Sequence, residues 1–379
     1  MRKLMLLFLG LMLAGAAEPP SLELRLAGQP QTMFTPARDA CDGDDVPDAP
    51  VRAFRDVSGG VVMFGLHDVN RAFRGPSLDA LKLDCRVVLG SSSNADPAAY
   101  DDRSWITALW TRDGVNIEAL VHHEFQANEH PGRCAFKDYM QCWYNSILAV
   151  HSSDGGATFA RAKNPVVAAV PFRSDVDQGR HRGFFNPSNI FTFQGQAYFF
   201  ASTTGWAGQE GGVCLFRNAD PALSESWRAW DGKSFASAFP NPYVSKTTLA
   251  SHCTVIAPFP APVGAVVVYG GTFVAVFQAK RDANLFPVSG FYYATSANLL
   301  AWSAPRLLVP GATLYDDPCA AGGRLIAYPS LLDPAAKSRM FEDVGAHPWL
   351  YFAQLAVEGC AITGQRELVR VRVDIAHAK

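Results

Sequence analysis

Short apolar runs separated by tight turns constrain this chain more than any other feature. Val61-Val62-Met63-Phe64, Ile117 to Val121, Ala197 to Ala201, Ala265 to Tyr269 and Trp349 to Ala353 are rich in β-branched and aromatic residues. Gly, Asp, Asn and Pro bound them, which is the pattern of strands rather than helices. Turn signals such as Arg112-Asp113-Gly114 and Phe193-Gln194-Gly195 precede them. A further run follows each: Cys85 to Leu89, Ser146 to His151, Val213 to Arg217, Gly290 to Thr295 and Glu367 to Val373. The chain thus repeats a three- or four-stranded meander five times, over residues 50–95, 100–165, 184–240, 250–310 and 323–377.

Radial repetition of such meanders is the signature of a β-propeller. The predicted fold is all-β, a five-bladed β-propeller. Six blades, a paired β-sandwich or a jelly roll are the alternatives. Residues 18–379 form one propeller domain in this reading, and segment 21–49 closes the ring by adding a strand beside the last blade.

The first seventeen residues read as a leader. Arg2 and Lys3 precede an apolar run from Leu4 to Leu13, and Ala14-Gly15-Ala16 supplies a small-residue cleavage site. The run is too short to cross a hydrocarbon core of ~30 Å, and no Cys follows it directly, so no membrane anchor is expected. The protein is expected to be secreted or periplasmic. All eight cysteines lie beyond the leader, and an even number in an exported chain suggests disulfides. Cys134 and Cys142 flank one short loop and are the expected pair; the other connectivities stay open. The spacings lack the paired C-x-x-C clusters of a zinc site. A net charge of −2 argues against nucleic-acid binding. No cofactor or metal is expected, and a monomer is.

Two motifs carry a resemblance. Ser152-Ser153-Asp154-Gly155-Gly156-Ala157-Thr158-Phe159 matches S-x-D-x-G-x-T-[WF] and resembles the Asp-box turn of sialidase-type propellers. That motif is structural: its Asp accepts backbone N–H bonds, its Gly allows a positive φ and its aromatic ring packs into the blade. Ala294-Thr295-Ser296-Ala297-Asn298-Leu299-Leu300-Ala301-Trp302 resembles the S-x-D-L-x-x-W turn of five-bladed glycosidases, with Asn298 in place of Asp. Those are glycoside hydrolase families 43, 32 and 68. The last repeat, with Tyr328-Pro329-Ser330-Leu331-Leu332-Asp333-Pro334 and Trp349-Leu350-Tyr351-Phe352, is similar to theirs. The resemblance implies a five-bladed propeller acting on a carbohydrate.

In a meander, strand 1 begins on the face where strand 2 ends. The polar residues at those positions come from all five repeats: His67, Asp68 and Arg71; Asp102, Trp105, His123 and Glu124; Asn186, Asn189, Trp206 and Glu210; His252; and Tyr328. Glycosidase chemistry needs two carboxylates flanking the bond, an acid for the leaving oxygen and a base or nucleophile. Asp102 and Glu124 are the expected catalytic pair, with Glu124 as acid. His67, Asp68, Arg71, Trp105, His123, Asn186, Asn189, Trp206, Glu210, His252 and Tyr328 are the expected substrate-binding residues. His122 and His123 alternate sides of their strand, so at most one faces the site. The function expected is a secreted glycoside hydrolase acting on an extracellular oligo- or polysaccharide. A non-catalytic carbohydrate-binding propeller and a polysaccharide lyase using His and Tyr are the alternatives.

Overall fold

A computed structural model describes residues 22–177, 181–244 and 251–378. The leader proposed for residues 1–17 lies outside them. Strands Pro47–Arg55, Val61–Leu66, Arg71–Gly75 and Lys82–Val87 pair consecutively and antiparallel in a first meander. Arg103–Trp110, Ile117–Gln126, Trp143–Ser152 and Ala160–Ala168 make the second. The third is built on Gln196–Thr203 and Gly212–Asn218, flanked by Arg182–Phe185 and Phe191–Phe193 on one side and Arg228–Trp230 and Phe235–Ser237 on the other. Val263–Tyr269, Thr272–Ala279, Gly290–Ser296 and Arg306–Pro310 form the fourth. In the fifth, Arg324–Leu332, Trp349–Glu358 and Ala361–His377 are joined at the edge by Leu22–Phe34, with Leu24 opposite Ile375. The N-terminal strand therefore closes the last sheet, as the sequence anticipates.

Each sheet buries both faces, which is why strands such as Val61–Leu66 are apolar at every position and buried throughout. The core is accordingly divided into layers between neighbouring sheets. Phe54, Val62 and Phe64 pack with Ile106 and Val121 between the first and second. Ala108, Leu120 and Ile147 meet Phe199 and Phe216 between the second and third. Phe200 and Leu215 meet Val266 and Phe277 between the third and fourth, and Val274 and Phe291 meet Leu350 and Phe352 between the fourth and fifth. Val51 and Met63 then pack on Leu332 and Tyr351, joining the fifth to the first. Layers that return to their starting sheet make the all-β architecture a β-propeller.

Arg52 is the hub of the ring. Its side chain donates to the Thr107 carbonyl at 2.5 Å, the Val51 carbonyl at 3.0 Å, Ser330 Oγ at 3.3 Å and the Pro187 carbonyl at 3.3 Å. One guanidinium thus ties the first, second, third and fifth sheets together. Burial without a carboxylate partner among the described residues pulls its pKa down to about 9, so it stays cationic at neutral pH.

The turns behave as their chemistry requires. In Ser152–Phe159, Asp154 accepts the backbone N–H groups of Ala157 and Thr158, both at 3.0 Å, and Phe159 packs edge-on against Phe64. Burial pushes Asp154 upward, but bonds from Thr158, Ser152 and Ala157 outweigh it and hold its pKa at about 2. Asn298 does the same work in its turn, accepting from the N–H groups of Leu300 and Ala301. An amide oxygen is acceptor enough for this geometry.

All eight cysteines pair: Cys41–Cys85, Cys134–Cys142, Cys214–Cys253 and Cys319–Cys360. Peptide mass spectrometry of the non-reduced protein is expected to recover these four links. Cys41–Cys85 closes a separation of 44 residues, and its loss is expected to cost about 2–4 kcal/mol, read as a shift in denaturant midpoint.

Candidate active site

The starts of the first strands surround a pocket of about 120 Å³. Asp48, Trp105, Thr107, His122, Glu124, Trp143, Asn145, Asn186 and Tyr328 line it, together with His181, Phe185 and Tyr315. Register explains the contribution of the second sheet. Trp105 pairs with His122, and Glu124 pairs with both Arg103 and Asn145. Side chains two apart share a face, so Trp105, His122, Glu124 and Asn145 all project to the same side. The third sheet docks here through a short parallel pairing of Gly183 with Asn145. A Cβ at Gly183 would lie 1.9 Å from the Asn145 carbonyl oxygen, and its φ is +109°, so only glycine fits this approach.

Two residues reach the pocket from strained backbone. Asn186 and Tyr328 both occupy the left-handed region, at φ 50° and 59°, and each precedes a Pro-Ser pair. A non-glycine residue held there costs on the order of 1–3 kcal/mol, and such outliers cluster at functional sites. The Asn186 N–H donates to His122 Nδ1 at 3.3 Å. The Tyr328 hydroxyl donates to Asp48 Oδ1 at 3.2 Å. Burial first, then the Asp48 charge, hold the Tyr328 phenol well above its ordinary pKa, so it remains a donor.

The Asn186 contact fixes the His122 tautomer. Nδ1 accepts, so the proton sits on Nε2 and is donated to Glu124 Oε1 at 2.9 Å. Gln126 Nε2 donates to Glu124 Oε2 at 2.7 Å. Asp48 is met instead by charge: Arg366 donates to Oδ1, and His67 Nε2 lies 3.6 Å from Oδ2. His67 Nδ1 is 2.6 Å from Asp68 Oδ1. Burial disfavours the imidazolium, but the Asp68 hydrogen bond and the field of Asp48 outweigh it and raise the His67 pKa. Trp105 stands between the two histidines, its ring 5.3 Å from His67 and 5.7 Å from His122. Its buried indole N–H has no partner among the described residues, nor has Asn145 Oδ1. Buried polar atoms are rarely left unpaired, so this donor and acceptor are available to a ligand.

Four of the sequence-selected residues therefore line the pocket: Trp105, Glu124, Asn186 and Tyr328. His67 and Asp68 stand behind it through Asp48. The others are placed elsewhere. Asp102 lies on the opposite strand face from Glu124, buried, where its Oδ2 accepts the Gln126 N–H at 2.8 Å and lies 3.1 Å from His130 Nε2. His123 shares that face, and burial pulls its pKa down to about 3, so it is neutral; His122 is the one that faces the pocket. Arg71 pairs with Asp42 and Asp45 and donates to the Cys85 carbonyl. Asn189 bridges to both backbone groups of Val266 in the fourth sheet. Trp206 packs on Phe184, Glu210 is exposed, and His252 Nε2 meets the Ala207 carbonyl. Sequence reasoning missed Asp48 and Asn145. Asp48 had a signal: a carboxylate in Pro47-Asp48-Ala49-Pro50, at the start of an apolar run.

No family model matches this chain, and no curated protein matches it. Solved structures do. A family 117 glycoside hydrolase from the marine bacterium Zobellia galactanivorans superposes with a TM-score of 0.50 at 8% identity, covering 94% of this chain and 90% of that one. A GH43_1 enzyme from Xanthomonas citri complexed with xylotriose gives 0.49 at 12% identity, covering 88% of each chain. An exo-1,5-alpha-L-arabinanase from a bovine ruminal metagenomic library gives 0.47 at 12%, covering 86% of this chain and 93% of that one. The likeness to the family 117 enzyme is one of fold.

Proposed function

We propose that this chain is a secreted glycoside hydrolase that cleaves an oligo- or polysaccharide with Asp48 and Glu124. The observation that carries the reading is the pocket itself. Two carboxylates from neighbouring sheets line it beside a buried indole N–H and a buried amide oxygen, neither with a protein partner among the described residues. Paired carboxylates with free hydrogen-bonding groups suit a sugar and its glycosidic bond. Asp48, held by the Arg366 guanidinium, takes the role of base or nucleophile in this reading. Glu124 takes the role of acid: His122 Nε2 donates to its Oε1 and Gln126 Nε2 to its Oε2, and a proton on Oε2 is accepted by the Gln126 amide once that amide turns over. That proton passes to the leaving oxygen as the bond breaks, and the attacking water gives its own to a carboxylate. Four disulfides support export.

The test is product analysis. Protein lacking residues 1–17, incubated with a polysaccharide panel, is expected to release new reducing ends. An unsaturated product absorbing in the ultraviolet would make it a lyase instead, and binding without any product a non-catalytic module.

A further inference from the structure

The catalytic pocket shares His181, Phe185 and Tyr315 with a second cavity of about 590 Å³ between the third and fourth sheets. The two cavities therefore adjoin, with those three residues lining both. Phe185, Phe259 and Phe286 give the larger one apolar faces of the kind that pack against sugar C–H groups. Ser202 also lines it, and its buried Oγ has no partner among the described residues. At its edge, Lys280 and Arg281 follow strand Thr272–Ala279. Arg281 uses its backbone N–H on Ser289 Oγ, and among the described residues neither cationic side chain has a carboxylate partner. The neighbouring carboxylate, Asp282, is engaged by its own turn, with Oδ1 accepting the Asn284 N–H at 2.6 Å.

The lining of the large cavity is thus net positive, with Lys280 and Arg281 against Asp282. Lys280 and Arg281 attract an anion to the large cavity, whereas the small pocket presents the carboxyl groups of Asp48 and Glu124. We propose that the larger cavity is a subsite for an acidic sugar unit, bearing a carboxylate or a sulfate, of the chain whose scissile bond lies in the small pocket. The proposal rests on the glycosidase reading and names its substrate class.

Calorimetric titration of the Glu124→Gln protein tests it without turnover. Two matched pairs of probes are used: an oligogalacturonide and its methyl ester, and a κ-carrageenan oligosaccharide and its desulfated form. The charged member of one pair is expected to bind about tenfold more tightly than its neutral partner. Which pair shows it distinguishes carboxylate from sulfate. The preference is expected to weaken as salt rises, since these cations are exposed, and to vanish in the Lys280→Ala/Arg281→Ala variant. Equal binding within both pairs overturns the acidic subsite and leaves the hydrolase reading standing. A preference that survives the double substitution overturns it too, as does failure of all four probes to bind.

Discussion

Glu124→Gln and Asp48→Asn are each expected to lower the rate of reducing-end release by about 10²–10⁴-fold, the usual worth of a positioned acid or base. Both replacements keep size and hydrogen-bonding shape while removing the titrating group. At position 124 the amide oxygen still accepts from His122 Nε2, and its NH₂ group donates to Gln126 once that amide turns over. The fold is therefore expected to survive, and binding with it. At position 48 the guanidinium of Arg366 loses its counter-charge, so a modest drop in melting temperature should accompany the loss of turnover. Asp102→Asn is the informative comparison. Its carboxylate holds the Gln126 N–H and faces His130 behind the strand, so its main effect is expected on stability. Initial rates on a substrate identified from the panel, with circular dichroism on each variant, check all three. Undiminished rates in Glu124→Gln would remove that residue from the reaction.

Arg52→Met is expected to destabilise the protein by about 1–3 kcal/mol, the cost of leaving buried acceptors without their shared donor. Methionine fills much of the space but donates nothing. The carbonyls of Thr107, Pro187 and Val51 and the Ser330 hydroxyl lose a shared donor at the centre of the ring, where water has little access. The loss is felt by four sheets together, because each of those acceptors belongs to or adjoins a first strand. Denaturant unfolding, followed by tryptophan fluorescence and circular dichroism in parallel, measures it. Arg52→Lys is expected to recover only part of the difference, since an ammonium at the end of a flexible stem lacks the planar fork that reaches all four acceptors. A midpoint for Arg52→Met equal to that of the wild type would show that the hub is dispensable.

Much of the architecture was legible in local sequence. Five apolar meanders, the turns at Ser152–Phe159 and Ser296–Trp302, and the closing strand Leu22–Phe34 all follow from patterns a few residues long. The Cys134–Cys142 link was legible for the same reason, since its partners are eight residues apart. Trp105, Glu124, Asn186 and Tyr328 could be placed together from the sequence because strand starts and strand ends meet at one face of a meander, and they line one pocket.

Side and distance are what local pattern leaves open. Asp102 and Glu124 both sit at the correct end of the second sheet, yet a one-residue difference in strand parity sends the first behind the sheet and the second into the pocket. The same parity selects His122 over His123. Bulges shift it further, as between Ile106 and Ala108, and no composition signal marks them. Asp48 comes to line one pocket with Glu124 and Tyr328, and Arg52 meets Ser330, only when the fifth sheet returns to the first and the ring closes. The meanders, their turns and the pairing of near cysteines are set locally along the chain, because hydrogen-bonded strands and turns answer to neighbouring residues. Which carboxylates line one pocket follows only from the folded chain, because that depends on register and on contacts between sheets far apart along the chain.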